Sequence, residues 1–258
     1  MAADIQREHK VHVLAGEVLV ERRWGQPCLA YSACIQPGTD ARADLSCFQE
    51  SVLSLEPALL RVPERALHAN LAWLLPVHQE FDRPKDELWQ LHGPEWMSIL
   101  DRILSATGSF RLRFRHLVAT DSAIIAVADE PNRLSALRRK LMPALSVPGS
   151  LSAGDLVHTT LFRYAGPLRD PRTLMRRLAA GVHIDVDVHE VLVVRERIFP
   201  SLDYEVLRRV ALRPRPATCS GRLGRLGRHD AGVCQGNRRS VIWACEGGSS
   251  PRAHRGPC

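Results

Sequence analysis

The 258-residue chain contains no apolar run long enough to cross a bilayer; the longest, such as Leu71 to Val77, falls far short of the roughly 20 residues a spanning helix needs. It has no CxxC pair, its seven cysteines are odd in number, and no N-terminal stretch joins a basic start to an uninterrupted apolar segment. The expectation is a soluble protein of the reducing cytoplasm, with no membrane contact. Charge excess is also missing from most of the chain. The formal +7 resides in residues 213–258, where nine Arg stand against Asp230 and Glu246, whereas residues 1–212 balance 26 basic side chains against 26 acidic ones. A neutral body is poorly suited to charge-driven binding of long nucleic acid, whose affinity rests on phosphate neutralisation, but it leaves small anionic substrates open.

What is present is 45% hydrophobic content, enough for one large domain or two lobes, and an alternation of strand and helix signals. Leu29 to Ile35 reads as a buried strand, and Leu45, Phe48, Val52 and Leu55 recur at helical spacing until Pro57 stops them. Ala66 to Leu75 reads as a strand, and Trp96, Ile99, Leu100, Ile103 and Leu104 as a helix closed near Gly108. Phe110, Leu112 and Phe114 alternate with Arg111, Arg113 and Arg115, and this half-buried strand turns at Asp121 into a buried one, Ala123 to Ala128. Asp129 and Pro131 open a helix through Leu134, Leu137 and Leu141, and Pro143, Pro148 and Gly149 form a linker. Asp170 and Pro171 begin a helix holding Leu174 and Leu178 and ended by Gly181, before strands around Ile184 to Arg195 and Tyr204 to Leu212.

This order predicts an α/β (α+β) fold that is bilobal and pseudo-symmetric, with two mixed or antiparallel sheets flanking a central cleft and helices outside. Residues 1–27 read as an N-terminal extension, 28–212 as the bilobal domain and 213–258 as a disordered Arg/Gly-rich tail. That tail holds eight of the seventeen Gly and four Pro around one short apolar patch, Val241 to Ala244, too little burial to offset its ordering entropy.

Two segments carry the chemistry. Leu67-His68-Ala69-Asn70-Leu71 and Val157-His158-Thr159-Thr160-Leu161 each set a histidine and, two residues later, a small polar side chain into an apolar run. On a strand, residues two apart share a face, so His68 accompanies Asn70 and His158 accompanies Thr160. Two such strands across a cleft supply a general base, a general acid and two polar clamps for a phosphoryl group, with no metal required. Both imidazoles are therefore expected in one open cleft.

At these motifs the chain resembles the two-histidine (2H) phosphoesterase superfamily, and within it the bacterial 2′-5′ RNA ligase-like and cyclic phosphodiesterase proteins. Their mark, H-x-[TS]-hydrophobic, occurs twice, and here His68 and His158 lie 90 residues apart. The second copy continues as Leu161-Phe162-Arg163-Tyr164, and Val191 to Arg195 with Tyr204 to Leu207 resemble the family's last two strands. The resemblance covers about residues 28–212. It implies a metal-independent phosphodiesterase without cofactors, acting on a 2′,3′-cyclic or 2′-5′ linked nucleotide or RNA end, with His68 and His158 as the acid–base pair and Asn70 and Thr160 as clamps. It also implies substrate contacts from Arg163 and Tyr164. Asn70 departs from the usual Thr or Ser but keeps an amide donor for a phosphoryl oxygen.

Strict alternation sets Arg163 on the face opposite His158, which favours a structural ion pair for it, and Arg111, Arg113 and Arg115 read as a solvated basic face. His183, Asp185, Asp187 and His189 share one strand face and form a rival metal-ligand constellation. Three functions follow: the two-histidine phosphodiesterase, a degenerate nucleotide- or RNA-binding module of the same fold, and a metal-dependent hydrolase built on residues 183–189. No obligate protein partner is indicated, and the chain is expected to be a monomer.

Overall fold

The computed structural model describes residues 2–129, 131–147 and 156–214, all within one compact unit, Met1–Pro216. The expected linker residues Pro148 and Gly149, and the expected tail beyond Pro214, lie outside the described residues. Along the chain run α1 (Ala2–Ala15), β1 (Pro27–Ile35), α2 (Thr39–Leu53), β2 (Leu59–Arg61), a 3-10 turn (Glu64–Ala66), β3 (Ala69–Leu75) and α3 (Lys85–Ser105). There follow β4 (Phe110–Ala119), β5 (Ile124–Ala128), α4 (Pro131–Leu145), β6 (His158–Tyr164), α5 (Pro171–Ala179), β7 (Ile184–Val188), β8 (Glu190–Ile198) and β9 (Asp203–Ala211). Among the described residues no helix is long and apolar enough to cross a membrane.

Local chemistry accounts for these limits. In α2 the periodic Leu45, Phe48 and Val52 are buried, whereas Leu55 lies beyond the helix and is exposed as the chain turns toward Pro57. Asp170 caps α5 by accepting the Thr173 amide at 3.0 Å. Gly181 ends the connection at φ +68°, where a Cβ would meet the Arg115 carbonyl oxygen at 2.6 Å. The long strand expected over Ile184 to Arg195 is two strands, because the in–out alternation of Ile184, Val186 and Val188 gives way after His189 to the continuous buried run Val191 to Val194. Pro143 belongs to α4 rather than to the linker.

All strands join one antiparallel sheet in the order β7-β4-β5-β6-β3-β1-β8-β9, with β2 added against β6. The two expected sheets are thus halves of one. They meet where β3 and β6 share a single register pair, Ala69 with Thr159. One face of the sheet carries the main hydrophobic core. On the other, Ile125 and Val127 pair with Thr160 and His158 and are covered by Ala2 and Ile5 of α1, so the N-terminal segment walls one side of the motif strands. The matching apolar patch of the other half, Cys34, Leu192 and Val194, packs against Tyr204. Arg213 remains tied to the body through hydrogen bonds with Thr107 and Ser109.

The seam depends on a buried cation. Arg138 of α4 reaches the seam and donates to the carbonyls of Asn70 at 2.6 Å, Leu71 at 3.2 Å and Leu156 at 3.2 Å, tying both motif segments to one guanidinium. On the other side of the seam, Gln49 donates to Val62 at 2.9 Å and Leu161 at 2.8 Å. Arg138→Met, which keeps the stem and removes the donors, is expected to lower unfolding free energy by about 2–4 kcal/mol, because buried carbonyls lose charge-assisted partners. Urea unfolding followed by circular dichroism measures this loss; an unchanged midpoint would refute it.

Candidate active site

The antiparallel pair Ala69–Thr159 fixes what stands opposite what. One residue to either side, His68 falls beside Thr160 and Asn70 beside His158, so the two histidines are diagonal neighbours across the seam. The pair itself is buried, while the four flanking side chains turn the other way. All four line one cleft of about 570 Å³, a size typical of small-ligand sites. Both motifs therefore converge as their alternation predicts, although His68 itself stands just outside β3, after the 3-10 turn.

Backbone acceptors orient the rings. Nδ1 of His68 lies 2.7 Å from the Ala66 carbonyl oxygen. A carbonyl only accepts, so Nδ1 carries the proton and the neutral ring's lone pair is on Nε2. His158 is hydrogen bonded to the backbone of Leu156, likewise two residues before it. Burial lowers the pKa of His68. His158 is pushed down to about 4, first by burial and then by the charges of Arg138, His68 and Arg163. Both rings are thus neutral bases in the free protein at pH 7.

A matched pair of β-bulges enlarges the site beyond simple alternation. In β6 the partners of β5 skip from Thr160 to Phe162, leaving Leu161 as the extra residue, and the next cleft-facing side chain is Arg163. In β3 the partners of β1 skip from Asn70 to Ala72, leaving Leu71, and the next cleft-facing side chain is Trp73, 36% exposed. Arg163 therefore joins the face of His158, against the expectation from strict alternation. Its Nη1 donates to the Ser122 carbonyl at 3.3 Å, and its buried Nε has no partner among the described residues. The same phase change corrects Tyr164: it is fully buried and its hydroxyl donates to the Thr120 carbonyl at 2.8 Å, so it belongs to the core and not to the cleft.

Several cleft residues escape sequence reasoning. Trp73 has a usable signal, since it stands five residues after His68 as Arg163 stands five after His158. Glu196, Phe199 and His78 come from distant loops and a strand end and have none. Glu196 accepts the Ser201 amide at 2.5 Å, holding the turn that follows β8 against the cleft. The rival constellation is dispersed: Asp185 pairs with Arg115, and Asp187 with Arg111 at 2.7 Å, on an exposed strand face. Among the described residues no group of three or more metal-ligating side chains comes together.

No protein-family model matches the sequence, and no curated protein sequence matches it. Solved structures do. TT0787 of Thermus thermophilus is 22% identical with TM-score 0.54, over 72% of this chain and 98% of that one. E. coli LigT in apo form is 18% identical with TM-score 0.50, over 72% and 98%, and a phosphoesterase structure is 16% identical with TM-score 0.50, over 72% and 99%. At these identities the likeness is one of fold: the chain has the α+β fold of LigT, in agreement with the resemblance carried by the two histidine motifs.

The lowered histidine pKa values have a sign that can be checked. Between the ordinary histidine value and about 4, the unfolded chain binds a proton at position 158 that the folded chain does not, so stability rises with pH across that window. It is complete above the window and is lost as pH falls through it. Chemical denaturation at pH 7 and pH 4.5 should show wild type losing stability and His158→Gln losing less; equal losses would refute the assigned burial of this ring.

Proposed function

We propose that this chain is a phosphodiesterase acting on a 2′,3′-cyclic or 2′-5′ linked nucleotide or RNA end, with His68 and His158 as its general acid–base pair. The observation that carries the reading is the convergence of two His-x-polar motifs, related by one register pair, on a single cleft. One Nε2 takes a proton from water as its oxygen attacks phosphorus; the other imidazole, protonated when the anionic substrate binds, gives its proton to the leaving ribose oxygen as the P–O bond breaks. One proton is taken and one is given, and no step needs a metal. Asn70, Thr160 and Arg163 hold the nonbridging oxygens, where a guanidinium and fixed hydrogen bonds count most as charge gathers in the transition state. Trp73 offers the cleft an aromatic face for a nucleobase. E. coli LigT, whose fold the chain shares, has been solved in complex with NADP+, which supports a nucleotide as ligand.

Like a hydroxyl, Asn70 brings both acceptor and donor capacity, but on separate atoms, and its buried Oδ1 has no partner among the described residues. In this reading the N–H2 of the same amide meets a phosphoryl oxygen.

His68→Ala and His158→Ala should each lower turnover of a 2′,3′-cyclic nucleotide by roughly 100-fold or more with the fold intact, and the double variant should lose little further. Activity that survives either change sinks the acid–base assignment, and activity abolished by EDTA favours a metal-dependent hydrolase instead. Asn70→Ala should raise the barrier by about 1–3 kcal/mol, and Asn70→Thr should keep or raise the rate. If cyclic and 2′-5′ linked nucleotides bind without turnover, the chain is a binding module of this fold.

A further inference from the structure

Past Arg163 the cleft lining continues to His78 and Phe199, beside which Arg23 stands, a group that the two-histidine chemistry does not use. Its centre is the ring of Phe199. The guanidinium carbon of Arg163 lies 6.0 Å from the ring centroid and that of Arg23 lies 5.4 Å from it. His78 meets the same ring edge-on with centroids 5.4 Å apart, and its Nδ1 is 3.0 Å from Nη1 of Arg23. Because an arginine only donates, that His78 nitrogen is the acceptor and the ring is neutral in the free protein. His78, Phe199 and Arg163 all line the cleft. Lys85 holds the loop that carries His78 by donating to the carbonyls of Pro76 at 2.6 Å and Val77 at 3.1 Å.

Two carboxylates are close by, and both are engaged with backbone amides. Glu21 accepts the Arg23 amide at 3.0 Å and Glu196 accepts the Ser201 amide at 2.5 Å. Among the described residues neither Arg23 nor Arg163 is in direct ion-pair contact, although the charges of Glu21 and Glu196 bear on Arg163, and the buried Nε of Arg163 has no hydrogen-bond partner there. Two guanidinium groups around one ring that lines the cleft, neither in direct contact with a carboxylate, are a binding place for an anion with several oxygens.

Resting on the function proposed above, we infer that Arg23, His78 and Arg163 form a second phosphoryl subsite, and that the substrate carries another phosphate besides the one placed between His68 and His158. On a nucleotide whose 2′,3′ side faces the histidines, that second group is the one on the 5′ oxygen. It is either a terminal 5′-phosphate or the 3′–5′ linkage to a preceding nucleotide. Arg163 stands between the two subsites, and Arg23 belongs to the second alone. The segment before β1 is thereby part of substrate recognition.

The test compares adenosine 2′,3′-cyclic phosphate, the same compound with a 5′-phosphate, and an adenylyl dinucleotide ending in a 2′,3′-cyclic phosphate, using the full chain. Wild type should favour at least one compound with the second phosphate by about 10-fold in kcat/KM, the scale of one charge-assisted contact. Arg23→Ala should bring that ratio near unity and Arg23→Lys should keep part of it. Preference for the 5′-phosphate compound alone identifies a terminal phosphate as the occupant, and preference for the dinucleotide alone identifies a linkage phosphate. A wild-type ratio near unity, or a ratio unchanged in Arg23→Ala, overturns the subsite. Should none of the three be turned over, the 2′,3′-cyclic phosphodiesterase reading fails, and calorimetry with adenosine 3′-phosphate and adenosine 3′,5′-bisphosphate decides the subsite alone: tighter binding of the bisphosphate that Arg23→Ala removes supports it, and equal binding overturns it.

Discussion

Everything in the site hangs on the seam between β3 and β6, where the two halves of the sheet touch through one register pair, Ala69 with Thr159. A full ladder would close the strands edge to edge over their whole length; a single pair lets them part on either side of it. Carbonyls at the parting are met by side-chain donors, that of Leu161 in addition to the Val62 amide at 3.0 Å, as buried carbonyls are rarely left unpaired. Arg138 meets Asn70, Leu71 and Leu156 on one side, and Gln49 meets Val62 and Leu161 on the other. These two polar side chains, buried among apolar ones, make an open cleft compatible with a continuous sheet. They also fix the histidines, since Leu156 and Asn70 are the residues through which Arg138 holds the strands.

What can be read from the residues follows from periodicity, and what cannot follows from its interruption. His68, Asn70, His158 and Thr160 are legible because each pair is two apart and nothing intervenes. Arg163 and Tyr164 lie on faces opposite to those that alternation predicts, because one extra residue, Leu161, changes the phase of β6, and no feature of the local sequence announces a bulge of this kind. Only comparison of the two motifs with each other carries a hint, in the shared leucine after the polar residue. Helices are legible where apolar spacing is strong, as in α3 with Trp96, Ile99, Leu100 and Leu104 buried. The N-terminal helix is not, because its contribution is small and tertiary: Val13, Ala2 and Ile5 gain meaning only from the strands they cover.

The electrostatic character of the cleft follows from the same construction. Burial lowers the proton affinity of both histidines, and Arg138, which stabilises the carbonyls, adds to the effect at His158, as does Arg163. In the free protein this leaves two neutral imidazoles, a state with two bases and no acid. A phosphodiester brings the negative charge that reverses the balance, because an anion between the rings favours imidazolium by the same interaction through which the guanidinium groups oppose it. On the function proposed above, the proton needed by the leaving group is taken up as the substrate binds.

On the function proposed above, the asymmetry of the two halves acquires a reason. Symmetry accounts for two histidines, two polar side chains beside them and two bulges, but the residues after the bulges differ, Trp73 in one half and Arg163 in the other. A nucleotide is itself asymmetric, with a flat apolar base at one end and anionic oxygens at the other. An aromatic surface on one half and a guanidinium on the other match those two ends, and the segment before β1 extends the cationic half by bringing Arg23 to the ring of Phe199. A pseudo-symmetric sheet can hold the phosphorus on its axis, while the orientation of the molecule across that axis must come from the side chains that break the symmetry.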